Sequence, residues 1–184
     1  IVLYSGSLSA QCMNIYNCWQ NKYGGTALNK DAFHDIKVSR ISGNVFVTGE
    51  TFSSDGSNSN YLTVKYSPLG DTLWSRTFNG TGNANDVAHS IAIDDSDNVY
   101  ITGESKSATP DGDDYVTIKY NSAGDVKWVR TYNGPAGNAD NAYSVCVDSL
   151  HNVYVTGSAQ MGGAGGLDFL TIKYSSGGIL RWTR

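Results

Sequence analysis

Asn98–Trp128 reads NVYITGESKSATPDGDDYVTIKYNSAGDVKW, and its markers return elsewhere in the chain at one fixed interval. Asn44, Asn98 and Asn152 each open an N-V-[FY]-[VI]-T-G run, and 98 − 44 and 152 − 98 are both 54. Tyr61, Tyr115 and Phe169 open [YF]-[LV]-T-[VI]-K-Y at the same spacing, and Trp74, Trp128 and Trp182 follow in step. A period of this length marks an array of one supersecondary unit, each copy unable to bury its apolar face alone.

Working outward, each full unit reads as four short strands. The second unit offers Ala88–Asp94, Asn98–Glu104, Tyr115–Tyr120 and Val126–Tyr132. The third offers Ala142–Asp148, Asn152–Ser158, Phe169–Tyr174 and Ile179–Arg184, and the first Asp35–Ser39, Asn44–Glu50, Tyr61–Tyr66 and Thr72–Phe78. Alternation in Ser90-Ile91-Ala92-Ile93 and Leu62-Thr63-Val64-Lys65 is that of a pleated strand with two unlike faces. Gly70, Gly124 and Gly178 recur between third and fourth strands, where a tight hairpin needs a residue at positive φ. Gly49, Gly103 and Gly157 fall at the end of a strand, the place of a bulge or a close backbone approach. The expected core of the second unit is Ile91, Ile93, Val99, Ile101, Val116, Ile118 and Trp128.

The fold class is therefore all-β, an array of four-stranded antiparallel blades like those of a β-propeller. Three blades are full and one is partial. Residues 1–31 form the partial, degenerate unit, in which Trp19 echoes Trp74. Residues 32–80, 81–134 and 135–184 are the full blades. The first departs slightly, because Val38 to Asn44 holds one residue more than Ile93 to Asn98.

The units AHSIAIDDSDNVYITGES…DDYVTIKYNSAGDVKWVRTYNG and AYSVCVDSLHNVYVTGS…LDFLTIKYSSGGILRWTR resemble the bacterial and archaeal repeat family named for seven-bladed β-propellers. The resemblance implies a propeller fold and a secreted or cell-surface setting. It implies no particular activity, since propellers host many. By the same analogy Ser90–Asp94 is an innermost strand and Val126–Tyr132 an outer edge. The tight turns then share one face of the disc. Residues 51–60, 105–114 and 159–168, with the inter-blade segments 79–87 and 133–141, share the other. Three full units fall short of the usual four to eight blades, so the remaining blades are expected from a longer chain or another subunit.

Composition narrows the function. With 21 Gly, 12 Tyr, 4 Trp and 3 Pro the chain suits strands and turns. Its net charge is −4 and its 13 basic residues are scattered, which argues against a nucleic-acid surface. No apolar run is long enough to span a membrane. Of the 3 Cys, Cys12 and Cys18 lie close enough for a bridge, and free thiols are the alternative.

The long-loop side is the expected binding face. Its candidates are Asp55, Asn58, Asn83, Asn85, Asp86, Asp111, Asp113, Asp114, Asn138, Asp140 and Asp168. Asp111, Asp113 and Asp114 are also weak candidates for calcium, without the late bidentate Glu of the twelve-residue calcium loop. Asp86 with Asp140, and Asp114 with Asp168 and Asn60, recur like structural turn-fixing residues. Lys65, Lys119, Lys173, Arg76, Arg130 and Arg184 are expected to lay their stems on aromatic neighbours, with heads in water. His34 and His89 precede inner strands and are placed toward the central channel. No nucleophile elbow, P-loop or dinucleotide fingerprint is present, so no catalytic residue or cofactor is assigned.

The leading expectation is a non-catalytic extracellular scaffold that presents loops to a protein or glycan. One alternative is a carbohydrate- or calcium-binding propeller. A further one is a glycoside hydrolase or lyase using acids among Asp35, Asp94 and Asp148, which would have to stand about 5–9 Å apart.

Overall fold

The computed structural model describes residues 19–21, 31–107, 112–162 and 166–184. Cys12, Cys18, Asp111 and most of the partial unit lie outside the described residues. The described residues form twelve strands in order. The first sheet holds β1 (Ala32–Val38), β2 (Val45–Phe52), β3 (Ser59–Tyr66) and β4 (Thr72–Phe78). The second holds β5 (Asp86–Ile93), β6 (Val99–Lys106), β7 (Asp113–Tyr120) and β8 (Val126–Tyr132). The third holds β9 (Asn141–Val147), β10 (Val153–Ala159), β11 (Asp168–Tyr174) and β12 (Leu180–Thr183). Each sheet is a plain antiparallel meander in sequence order. The first strands of successive sheets, β1, β5 and β9, lie against one another, so they are the inner strands.

Strand existence and order match the sequence reading, and the second and third strands run further than expected. Thr51 and Phe52 still pair with Asn60 and Ser59, and Ser105 and Lys106 with Asp114 and Asp113. The connections taken for long loops are shorter as a result, because polar residues here complete the ladder. The first turn is longer than its counterpart: Ser39 N–H donates to Asn44 O at 2.9 Å, against Asp94 N–H to Asn98 O at 3.1 Å. The position that Gly43 fills at φ 71° is filled by Asp97 at φ 57° and His151 at φ 60°. That left-handed geometry costs an L side chain more than it costs glycine.

Every inner strand carries one extra residue. Pairing skips His34 between Phe33 and Asp35, His89 between Ala88 and Ser90, and Tyr143 between Ala142 and Ser144. Such a bulge pushes the strand's backbone toward its neighbour. The neighbour at that point is Gly49, Gly103 or Gly157, where an added β-carbon would sit 1.9–2.0 Å from a carbonyl oxygen of the inner strand. The recurrent Thr-Gly is thus the complement of the bulge.

The core is built between sheets. Phe46, Tyr61 and Trp74 of the first sheet pack on Val99, Ile101, Val116, Ile118 and Tyr120 of the second. Tyr100, Tyr115 and Trp128 of the second pack on Val153, Val155, Leu170, Ile172 and Tyr174 of the third. The expected core residues of the second blade are buried, Ile93 only in part, and Tyr100 and Tyr115 join them. A fully buried side chain of this kind contributes about 1.5–3 kcal/mol.

Candidate functional site

Four of the six recurrent cations, Lys65, Arg76, Lys119 and Arg130, are occupied between blades. Lys65 Nζ and Trp74 Nε1 both donate to Ser122 O, at 3.0 and 3.1 Å, and Arg76 Nε donates to Gly124 O at 2.8 Å. One blade on, Lys119 and Trp128 converge on Ser176 O and Arg130 Nε on Gly178 O. The expectation that the cationic heads sit in water is overturned for these four. The heads themselves stand over aromatic rings, with Lys65 Nζ 5.1 Å from the Phe46 ring and Arg76 Cζ 5.7 Å from that of Trp74. They also satisfy carbonyls of the next blade's hairpin, which packing would otherwise strip of water.

The aspartates divide into two structural sets. On the tight-turn side, Asp94 accepts from the backbone of Ser96 and Asn98, from Asn98 Nδ2 and from the Tyr100 hydroxyl. Burial pushes its carboxyl up, and these donors outweigh burial, holding it below its ordinary value. Asp148 repeats the pattern with Leu150, Asn152 and Tyr154, and is held down to about 2, first by the Asn152 side chain. Asp97 Oδ2 accepts from Ser42 Oγ at 2.5 Å, and Asp95 Oδ1 lies 3.0 Å from His151 Nε2, each tying two blades. Asp35 accepts from Ser90 Oγ and Ile91 N between inner strands. The three acids weighed for hydrolysis, Asp35, Asp94 and Asp148, are therefore engaged in turns and in the inter-blade seam.

On the opposite side, Asp86 and Asp140 are fully buried and accept from the backbone of Gly80 and Gly134. Gln160 N–H donates to Asp140 as well. They cap the inter-blade segments, as their recurrence suggested. Burial raises the Asp86 carboxyl. Asp55 fixes its own hairpin through Ser53 and Ser57 and is held at about 2, the Ser53 hydroxyl being the largest cause. Asn138 bonds Ala136 O within its loop, Asp114 is buried and Asp168 is exposed. Among the described residues no group of three or more His, Cys, Asp or Glu side chains converges to hold a metal ion.

Two open grooves lie at the junction of the first two blades: one of about 440 Å³ on the tight-turn side, lined by Lys37, Arg40, Ile41 and Asp95, and one of about 450 Å³ on the side of the longer connections. Asn58, Asn85 and Asp113 from the expected face line the second, with Glu50, Glu104, Lys106 and Phe52. Asn58 Nδ2 donates to Asn83 O at 2.9 Å, and Asn85 Oδ1 accepts from Ser59 N at 3.1 Å, so the two edges are locked together.

The two bulge histidines stand behind the glutamates. His34 Nε2 lies 4.0 Å from Glu50 Oε1, and His89 Nε2 lies 3.3 Å from Glu104 Oε2. The rings stack at 5.8 Å, and Tyr143 continues the row 5.9 Å beyond His89. His34 Nδ1 is 2.9 Å from Ala88 O, a carbonyl that only accepts, so this nitrogen carries the proton. The sequence reading missed Glu50 and Glu104. Their signal is the residue after each Thr-Gly, Glu in the first two units and Ser158 in the third.

Sheets of four strands, joined first strand to first strand and clasped at their outer hairpins, define an array of β-propeller blades. Residues 73–108 match the SBBP beta-propeller repeat family, a stretch that runs from β4 across the junction into β6. The family resemblance of the repeat thus falls on the segment where one blade is joined to the next. Among solved structures, a gluconolactonase of Xanthomonas campestris is similar at a TM-score of 0.45 and 14% identity. The match covers 88% of this chain and 49% of the gluconolactonase, so the chain spans about half that protein's length. No curated protein matches the chain. Among the described residues no helix is long and apolar enough to cross a membrane.

Proposed function

We propose that the chain is a non-catalytic propeller interaction module, working outside the cell or on its surface, that presents the long-connection groove between its first two blades to a polar partner. One observation carries the reading. Most of the recurrent aspartates and four of the six recurrent cations are engaged in turns, caps and clasps, whereas Glu50, Glu104, Lys106 and Asp113, with Asn58 and Asn85 bonded at the edges, line an open groove. A groove with donors and acceptors of both kinds, beside Phe52, suits the hydroxyls of a glycan or the side chains of a peptide.

Calorimetry of the chain against a panel of oligosaccharides, with the wild type and the E104Q and N85A variants, tests the reading. The expected result is binding by the wild type that both substitutions weaken. Turnover of a glycoside, or binding that ignores both substitutions, overturns it. Calcium is included as a separate titrant, because Asp113 lies at the groove while Asp111 is outside the described residues.

A further inference from the structure

In an array of repeats, what recurs carries the shared structure, and what departs in one copy is free to serve something else. The first blade departs three times at one place, where its inner strand enters the first turn. Ser39, Asp94 and Asp148 hold corresponding positions, their N–H groups donating to Asn44 O, Asn98 O and Asn152 O. The first blade thus lacks the carboxylate that caps the other two turns. The next residue is Arg40, against Asp95 and Ser149. On the strand itself Lys37 pairs with Phe46, where Ala92 pairs with Tyr100 and Cys146 with Tyr154. Each of the three changes makes this edge more positive than in the other copies.

All three departures line one cavity, the groove of about 440 Å³ on the tight-turn side. The first blade supplies Lys37, Ser39, Arg40 and Ile41, and the second supplies Ile93, Asp94 and Asp95. Lys37 Nζ is held by Asp35 at 2.8 Å. Arg40 is exposed and makes no hydrogen bond or ion pair among the described residues. On the other wall, all the bonds of Asp94 are to its own turn and to Tyr100. The Asp95 side chain is 72% exposed, and its bonds to His151 and Ser96 both use Oδ1, which leaves Oδ2 open. Arg40 and Asp95 therefore carry opposite charges at the same position of neighbouring blades, on one groove, without pairing. Ile41, 76% exposed, and the partly buried Ile93 add apolar surface to it. The turn is held in place, since Ser39 Oγ accepts from the backbone of Ile41 and Ser42, and Asp97 of the second blade accepts from Ser42 Oγ. The corresponding groove at the next junction is smaller, about 260 Å³, and has neither Lys nor Arg in its lining.

We propose that this groove binds a zwitterionic ligand with an apolar body, of the kind and size of a short peptide with free ends. Its carboxylate meets the Arg40 guanidinium, whose planar fork matches two carboxylate oxygens. Its ammonium meets Asp95 Oδ2, and its side chains cover Ile41 and Ile93. The cavity falls in the usual range for small-ligand sites, about 300–1,000 Å³. Charge complementarity defines the occupant. A plain anion is repelled by Asp94 and Asp95 and a plain cation by Lys37 and Arg40, so a ligand carrying both charges is the one selected. The site shares no residue with the groove on the long-connection side, and the two readings stand or fall separately.

The test is an NMR titration of the whole chain at neutral pH with leucyl-leucine, followed through the backbone amides. Three further probes accompany it: N-acetyl-leucyl-leucine, which has no ammonium, leucyl-leucinamide, which has no carboxylate, and glycyl-glycine, which has no apolar body. Leucyl-leucine is expected to saturate with a Kd of about 1–10 mM, as suits so small a ligand, and to shift the amides of Arg40, Ile41 and Asp95. Each capped dipeptide is expected to bind at least about threefold more weakly, the effect of one exposed ion pair, and glycyl-glycine more weakly still. Arg40→Met should erase the preference for the free carboxylate and keep that for the free amine, and Asp95→Asn should do the reverse. A merely structural role would not give that crossed pattern. The proposal is overturned if the wild type binds both capped dipeptides as well as the free one, if leucyl-leucine does not saturate, or if the shifts fall away from this groove. The capped probes need no variant, so a variant that failed to fold would leave the proposal falsifiable.

Discussion

Tyr61 of the first blade presses its hydroxyl against the bare α-carbon of Gly103 in the second. A β-carbon at Gly103 would lie 2.9 Å from that oxygen and 2.0 Å from the carbonyl oxygen of Val87. Tyr115 and Gly157 repeat the contact one blade later, with corresponding distances of 2.7 Å to the hydroxyl and 1.9 Å to Asn141 O. A ring from one blade and a bulge within the next therefore demand the same glycine.

Replacing Gly103 with Ala is expected to destabilise the chain by about 1–3 kcal/mol or more, as overpacking of a tight interior does. Gly157→Ala should act alike. Gly177→Ala is the control, because a β-carbon there meets nothing within 4 Å. Urea unfolding midpoints compare the three.

Ile118 is fully buried between the first two sheets, and Phe169 is 96% exposed on the last. Ile118→Ala is expected to cost about 2–5 kcal/mol, the usual range for a large-to-small change in a core. Phe169→Ala should stay within about 0.5 kcal/mol. Thermal melts of both variants check the contrast.

Arg130 donates to Gly178 O across a blade junction, while Arg184 has no such hairpin before it among the described residues. Arg130→Ala should cost about 1–3 kcal/mol, the loss of a charged hydrogen bond whose acceptor is then left unpaired. Arg184→Ala should be near neutral. Arg130→Lys is expected to recover only part of the loss, because an ammonium lacks the planar fork.

Asp94 and Asp148 have carboxyls held below their ordinary value in the folded chain. A lowered folded pKa gives stability that is present above the unfolded value of about 3.9. That stability is lost as pH falls through the folded value, about 2 for Asp148. The melting temperature is expected to hold from neutral pH to about 4 and then drop. Tyr100→Phe removes a donor from Asp94, so the folded carboxyl rises toward its unfolded value, and the drop that begins near pH 4 should become smaller. Melts across pH 2–7 for wild type and Tyr100→Phe decide this, and identical curves would count against the Tyr100–Asp94 link.

Much of the architecture was legible in the chain itself. The 54-residue recurrence of Thr-Gly, of Thr-[VI]-Lys-Tyr and of Trp located the strands, because period-two alternation and glycine at turns are local requirements. The extra residue between Val38 and Asn44 marked the first turn as different, and the structure resolves it as a longer turn closed by Ser39 N–H and Asn44 O.

Tertiary structure decided what local patterning is blind to. Lys65, Trp74 and Arg76 recur visibly, yet their targets at Ser122 and Gly124 lie 48 to 57 residues further on, and only the stacking of sheets brings them together. Glu50 and Glu104 looked like ordinary strand ends until the inner-strand bulges set His34 and His89 beside them. Which aspartates were spent on turns and which polar groups stayed open was likewise settled by packing. A carboxylate's role depends on the donors that the fold brings within hydrogen-bond reach, and those donors come from other strands as often as from its own.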